Sequence, residues 1–186
     1  MLVMPTDRIP GTALVLAVAL FLTSCGGQTA GTAGQSPDAP AAPPTLPADP
    51  QELPDMTPDQ FDALLADVSA GTPVVVNFWG SWCGPCKREA ATFAELSERY
   101  EGAVQFIGVN LLDTKDGARR FMETYGITYP SVFDPSPTGA IRTSYGFTGQ
   151  PATLFISYGG EESYRWEGEI SEDQLDRAIR PLLPSA

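Results

Sequence analysis

PVVVNFWGSWCGPCKRE, residues 73–89, reads as a strand running straight into a helix that opens on two cysteines. Val74 to Trp79 form a short continuous apolar run, the pattern of a strand buried on both faces. Cys83 and Cys86 stand at i and i+3 at the head of the helix, on one side of its first turn and close enough to bridge. Cys83 falls near the N-cap, where free backbone N–H groups and the macrodipole favour a thiolate. Cys86 lies one turn in and is expected to be more covered. That asymmetry assigns attack on a substrate disulfide to Cys83 and resolution of the mixed disulfide to Cys86. Pro85 costs little so early in the helix, since its missing N–H had no partner there. Lys87 and Arg88 add positive charge nearby, with a solvated helix face as the equal alternative.

Such a pair is a redox centre, half of a metal site or a structural bridge, and the rest of the chain chooses among them. The 186 residues include no histidine, which removes histidine general bases and histidine metal ligands together. The third cysteine, Cys25, is far away in sequence, so the two further soft ligands of a structural zinc site are missing. A bridge closing so tight a ring staples nothing. No metal and no cofactor are therefore expected. A net charge of −12 opposes binding to nucleic acid or to an anionic membrane surface.

The chain begins MLVMPTDRIPGTALVLAVALFLTSCGGQ, with an apolar stretch from Thr12 to Leu22 that is too short to span a bilayer. Its length suits a signal-peptide core, although the basic start is weak, Arg8 being offset by Asp7. Residues 22–25, LTSC, resemble the lipobox of bacterial lipoproteins, with residues 1–24 as signal peptide and Cys25 as the lipidated first residue. The alternative is an ordinary secretory signal. Acyl chains contribute about 0.8 kcal/mol per buried CH₂, so multiple acylation would anchor firmly. Residues 25–55, rich in Gly, Ala, Pro and Ser, read as a disordered tether with a reach on the order of 80 Å.

From residue 56 to 186 the pattern is that of a folded domain. Thr57 caps a first helix, with Pro58 at its first position and Phe61, Leu64, Leu65 and Val68 on one face. The cysteine helix is expected to run to about Tyr100, burying Ala90, Phe93, Ala94 and Leu96. AVQFIGVNL reads as a strand, KDGARRFMETYG as a helix and YPSVFD as a short strand. ATLFIS and ESYRWEGE form a hairpin about YGG, and SEDQLDRAIRPLL, with Ser171 and Gln174 in capping-box spacing, closes the chain as a helix. This order predicts an α/β domain, a mixed sheet covered by helices on both faces.

VVVNFWGSWCGPCKRE resembles the active-site strand and helix of the thioredoxin superfamily. With FIGVNLLD, FMETYGITYPSVFD and YGFTGQPATLFIS, the chain from about 55 to 183 is similar to its extracytoplasmic TlpA/ResA/DsbE-like branch. The resemblance implies a thioredoxin fold with an inserted strand–helix region, here between Asn110 and Phe133. It implies a cis-proline at Pro151, facing the cysteines where the loop backbone would pair with an extended substrate. The branch commonly has a β-branched residue before that proline, and this chain has Gln150 instead. It also implies that Glu89, three residues past Cys86, handles the proton of Cys86, because Asn77 stands where cytoplasmic thioredoxins carry a buried aspartate. An exposed helical glutamate is the alternative. Trp82 is expected in the substrate-contact surface, Trp79 in the core and Trp166 in packing.

The function so implied is that of a thiol–disulfide oxidoreductase held outside the bacterial cell membrane by a lipid anchor. Its expected partners are protein disulfides or dithiols and a membrane electron-transfer protein. The resemblance and the Gly84–Pro85 dipeptide favour a reductase, for instance of apocytochrome c or its maturation proteins. An oxidase for secreted proteins and a non-catalytic binding module or chaperone are the rivals. A peroxidase is disfavoured, since Cys83 belongs to a WCxxC pair rather than to a lone-cysteine motif.

Overall fold

The computed structural model describes residues 44–184. The expected signal peptide, Cys25 and the tether up to residue 43 lie outside them. Along the chain run α1 (Pro58–Ser69), β1 (Val74–Trp79), α2 (Gly84–Arg99), β2 (Gln105–Leu111), α3 (Lys115–Tyr125), β3 (Ser131–Asp134), α4 (Ala140–Ser144), β4 (Ala152–Ile156), β5 (Glu162–Glu167) and α5 (Glu172–Ile179), the last continued by a 3₁₀ turn over Arg180–Leu182. The sheet order is β3-β2-β1-β4-β5. β1, β2 and β3 are parallel, while β4 lies antiparallel to β1 and β5 antiparallel to β4.

Every residue of β1 is buried, as its apolar run requires of the central strand. Strand alternation divides its side chains between two cores. Val74, Val76 and Phe78 point to the layer of α1 and α4, where they meet Phe61, Leu64 and Ile141. Val75 and Trp79 point to the layer of α2, α3 and α5, with Phe93, Phe121 and Leu175. Asn77, between them in sequence, is thereby turned towards α2. The expected α/β architecture is what forms, and the insertion between Asn110 and Phe133 consists of α3 and β3 packed on β2.

The helix caps follow local chemistry. Thr57 with Gln60 and Ser171 with Gln174 form reciprocal capping boxes. Thr114 caps α3, which ends on Gly126 in the left-handed conformation. Helix α4 was not expected: five residues hold too little periodicity to betray a helix.

One boundary needs correction. The tether expected to reach residue 55 joins the domain earlier. Leu53 is fully buried in the α2-side core and Leu46 packs on the other one. Pro54 and Met56 pair through their backbones with Phe133 on the edge strand β3, at 2.9 Å each. Arg119 donates to the Gln51 carbonyl, and Lys115 pairs with Asp55. A Pro-rich composition hid the anchoring Leu53, the packed Leu46 and a stretch of backbone that shields a sheet edge. Leu53→Ala is expected to cost about 3 kcal/mol of stability in denaturant unfolding; a loss below about 0.5 kcal/mol, the range of ordinary surface substitutions, would return the segment to the tether.

Candidate active site

The antiparallel register sets Phe78 opposite Ala152, so the chain entering β4 arrives at the end of β1 from which α2 departs. Gln150 and Pro151 thus stand against the head of α2, and the bond between them is cis, as the family resemblance implied. Cys83 and Cys86 are joined in a disulfide, their Cα atoms 5.2 Å apart. Cys83 is the N-cap of α2, and its sulfur accepts the Cys86 backbone N–H at 3.3 Å. A sulfur that already receives a helix N–H is placed to be stabilised as a thiolate once the bridge opens. The Cys83 sulfur also lies 3.8 Å from the Gln150 carbonyl oxygen. Both cysteines are buried, at 4% and 1% exposure, so the expected difference in cover is slight in the bridged form.

Trp82, 56% exposed, stands on the rim beside Cys83 and donates its indole N–H to the Leu112 carbonyl at 2.8 Å. The loop before the cysteines is held by Asp113, whose carboxylate accepts the Ser81 N–H at 2.6 Å, the Ser81 hydroxyl at 2.9 Å and the Asn110 amide at 3.0 Å. The turn after β2 therefore fixes both the loop and the rim tryptophan.

Glu89 lies one helical turn past Cys86 on the same buried face of α2 and is 2% exposed, which removes the exposed-glutamate alternative. One carboxylate oxygen accepts the Asn77 side-chain amide at 3.1 Å, and the other accepts the Ile170 backbone N–H at 3.0 Å. Burial pushes its pKa up from 4.5 to about 7, against the lowering effect of these hydrogen bonds, with the Glu169 charge adding to the rise. Tyr129, buried on the same side, is held protonated by burial and then by the Glu89 charge. The arrangement can exchange two electrons at the sulfurs and hold a proton near neutrality one turn away.

The other expectations divide. Trp79 is core, stacked on Phe121 at 4.6 Å between ring centres. Trp166 packs against the α2-side core and donates to the Glu169 carbonyl. Lys87 and Arg88 are exposed, and Arg88 is bound to Glu169, so they form a solvated face. Sequence reasoning missed Asp113, the Ile170 N–H and Arg142, which donates to the Gln150 side chain. Only Asp113, next to the cap Thr114, had a local signal; the Ile170 N–H meets Glu89 across 81 residues, and Arg142, though only eight residues before Gln150, lies on the short helix that shows no period in the sequence.

Residues 48–161 match the model of the AhpC/TSA family. Among curated proteins, the thiol-disulfide oxidoreductase ResA of Oceanobacillus iheyensis is 31% identical over 68% of this chain and 65% of its own length. The thiol:disulfide interchange protein HelX of Rhodobacter capsulatus is 32% identical over 63% of this chain, again 65% of its own. The chain thus spans just under two thirds of these relatives. The solved structure of a thiol:disulfide interchange protein of the thioredoxin family from Chlorobium tepidum superposes with a TM-score of 0.57 at 25% identity, covering 64% of this chain and 85% of that one.

The Glu89 carboxyl yields a stability signature with a definite sign. Between its ordinary pKa of 4.5 and about 7, the folded protein keeps a proton that the unfolded chain has released. Stability should therefore fall as pH rises through that window, by about 3 kcal/mol, and level off above it. Urea unfolding of the oxidised protein should show Glu89→Gln flattening this decline; an unchanged slope would mean that another group carries it.

Proposed function

The chain belongs to the AhpC/TSA family of the thioredoxin superfamily, and from that premise we propose that it is a thiol–disulfide oxidoreductase acting outside the cell membrane as a disulfide reductase. The observation that carries this reading is a disulfide whose leading sulfur caps a helix and lies against the Gln150 carbonyl just before Pro151, with a buried carboxyl one turn behind it.

In the reduced protein Cys83 attacks a substrate disulfide as a thiolate, forming a mixed disulfide and releasing one substrate thiolate. Glu89 takes the proton of Cys86. Cys86 then attacks the Cys83 sulfur and frees the second substrate thiolate, so two electrons have passed to the substrate and the Cys83–Cys86 bridge remains. An external dithiol, delivered by a membrane electron-transfer partner, resets it. Trp82 on the rim and the Gln150–Pro151 backbone form the surface that receives an extended substrate segment.

The chemistry of the pair supports this more strongly than the name AhpC/TSA by itself, because Cys83 has a resolving partner three residues away. The curated relatives carry thiol–disulfide names, and the Gly84–Pro85 dipeptide favours the reducing direction. The resemblance noted above suggests substrates in cytochrome c maturation. LTSC and the apolar stretch before it support a lipid anchor at Cys25, with the intervening tether letting the domain work near the membrane. A Cys25→Ala protein should then leave the membrane fraction of its host; retention there would end the anchor reading.

The decisive experiment is equilibration of the pair in defined thiol buffers, with free thiols counted. A potential near about −250 mV or below supports the reductase, whereas one near about −120 mV makes the protein a disulfide donor. Absence of any reversible couple overturns the oxidoreductase reading. Glu89→Gln should slow exchange and flatten its pH profile around neutrality, and unchanged rates would remove Glu89 from the proton step.

A further inference from the structure

Arg142 in α4 is 7% exposed, yet among the described residues it has no carboxylate partner. Its guanidinium donates to the side-chain oxygen of Gln150, and its Nε has no acceptor. Buried cations are ordinarily paired, because taking an ion out of water without a counter-charge is expensive. Asp134, the buried carboxylate that precedes the same helix, is occupied by the backbone N–H groups of Ser136 and Ile141. The charge of Arg142 is therefore left facing Gln150, the residue whose main-chain oxygen lies 3.8 Å from the Cys83 sulfur.

We propose that Arg142 is a positioning residue for the redox pair: it holds Gln150 against Cys83, and its fixed charge favours the Cys83 thiolate of the reduced protein, making the pair more oxidising. This rests on the thiol–disulfide reading above. Opening the bridge takes two electrons and one proton when Cys83 ends as a thiolate and Cys86 as a thiol, so the site gains one negative charge. A desolvated cation a residue away from that charge lowers the free energy of the reduced form more than a solvated one could.

The other charged groups on the surrounding elements do not duplicate it. On α2, Lys87 is exposed, Arg88 is bound to Glu169, and Glu89 is buried against Asn77 and Ile170. Asp113, in the turn after β2, holds Ser81 and Asn110. Glu167, at the end of β5, is exposed and accepts from Thr148. Arg142 alone combines burial, positive charge and contact with Gln150.

The test compares Arg142→Met and Arg142→Lys with the wild type. The reduced proteins are titrated by ultraviolet thiolate absorbance, and the pairs are equilibrated with glutathione. Arg142→Met should raise the Cys83 pKa by roughly half a unit to one unit and shift the glutathione equilibrium about 3- to 10-fold towards the disulfide. The shift should persist at about 1 M salt, because screening acts weakly on a buried charge. Arg142→Lys, which keeps the charge, should stay close to the wild type.

Met replaces the desolvated guanidinium by an apolar side chain with no charge to bury, so the Met variant is expected to fold. Should it not, Gln150→Glu, which supplies the missing counter-charge, carries the same expected shift. A folded Arg142→Met protein with the wild-type pKa and equilibrium overturns the proposal, as do equal shifts in the Met and Lys variants; in the Gln150→Glu arm an unchanged titration does so. If the wild type itself shows no reversible couple, it is the oxidoreductase reading that fails.

Discussion

The site depends on one pairing, the antiparallel ladder between β1 and β4. β1 carries the chain up to the cysteines, and α2 begins where it ends. A parallel partner would bring its own C-terminus to that place. The antiparallel partner brings its entrance instead, so the Gln150 carbonyl meets Cys83 although 67 residues separate the two. Ladder hydrogen bonds on both sides of β1 hold this register, and a one-residue slip would turn Asn77 and Trp79 to the wrong core.

The same alternation explains why a carboxylate is tolerated under the sheet. Asn77 is the polar residue on the α2 side of β1, and its amide meets Glu89. With the Ile170 N–H on the second oxygen, Glu89 connects the central strand, the cysteine helix and the approach to α5. Two neutral donors and no cation leave desolvation only partly opposed, which is the physical reason that its proton affinity settles near neutrality rather than in the usual carboxylate range. In a chain without histidine, this is how a titrating group near pH 7 is obtained.

The insertion has a task besides extending the sheet. Through Asp113 and the Leu112 carbonyl, the turn between β2 and α3 grips Ser81 and Trp82 just before the cysteines. The rim tryptophan can remain largely exposed because its indole N–H is satisfied and its loop is fixed at both ends. Shape at the mouth of the site is thus set by a segment outside the strand–helix motif that carries the sulfurs.

Much was legible from residues alone, wherever the physics is local. The apolar run of β1, the capping residues Thr57 and Ser171, and the placement of two cysteines at a helix start all act within a few neighbours, so order and type of nearly every element could be read from them. The short helix α4 and the anchoring role of Leu53 were not legible: one turn has no period to detect, and a lone leucine among prolines means nothing until a core is there to receive it. The family resemblance pointed to Pro151 and Glu89, but neither the burial of Glu89 nor its partners could be seen in the string. Those contacts, like that of Arg142 with Gln150, join side chains through strand register and helix packing. The strand, the helix and the paired thiols follow from residues that are neighbours in the chain; which buried groups surround them follows from the folded arrangement, because burial and electrostatic environment are properties of neighbours in space.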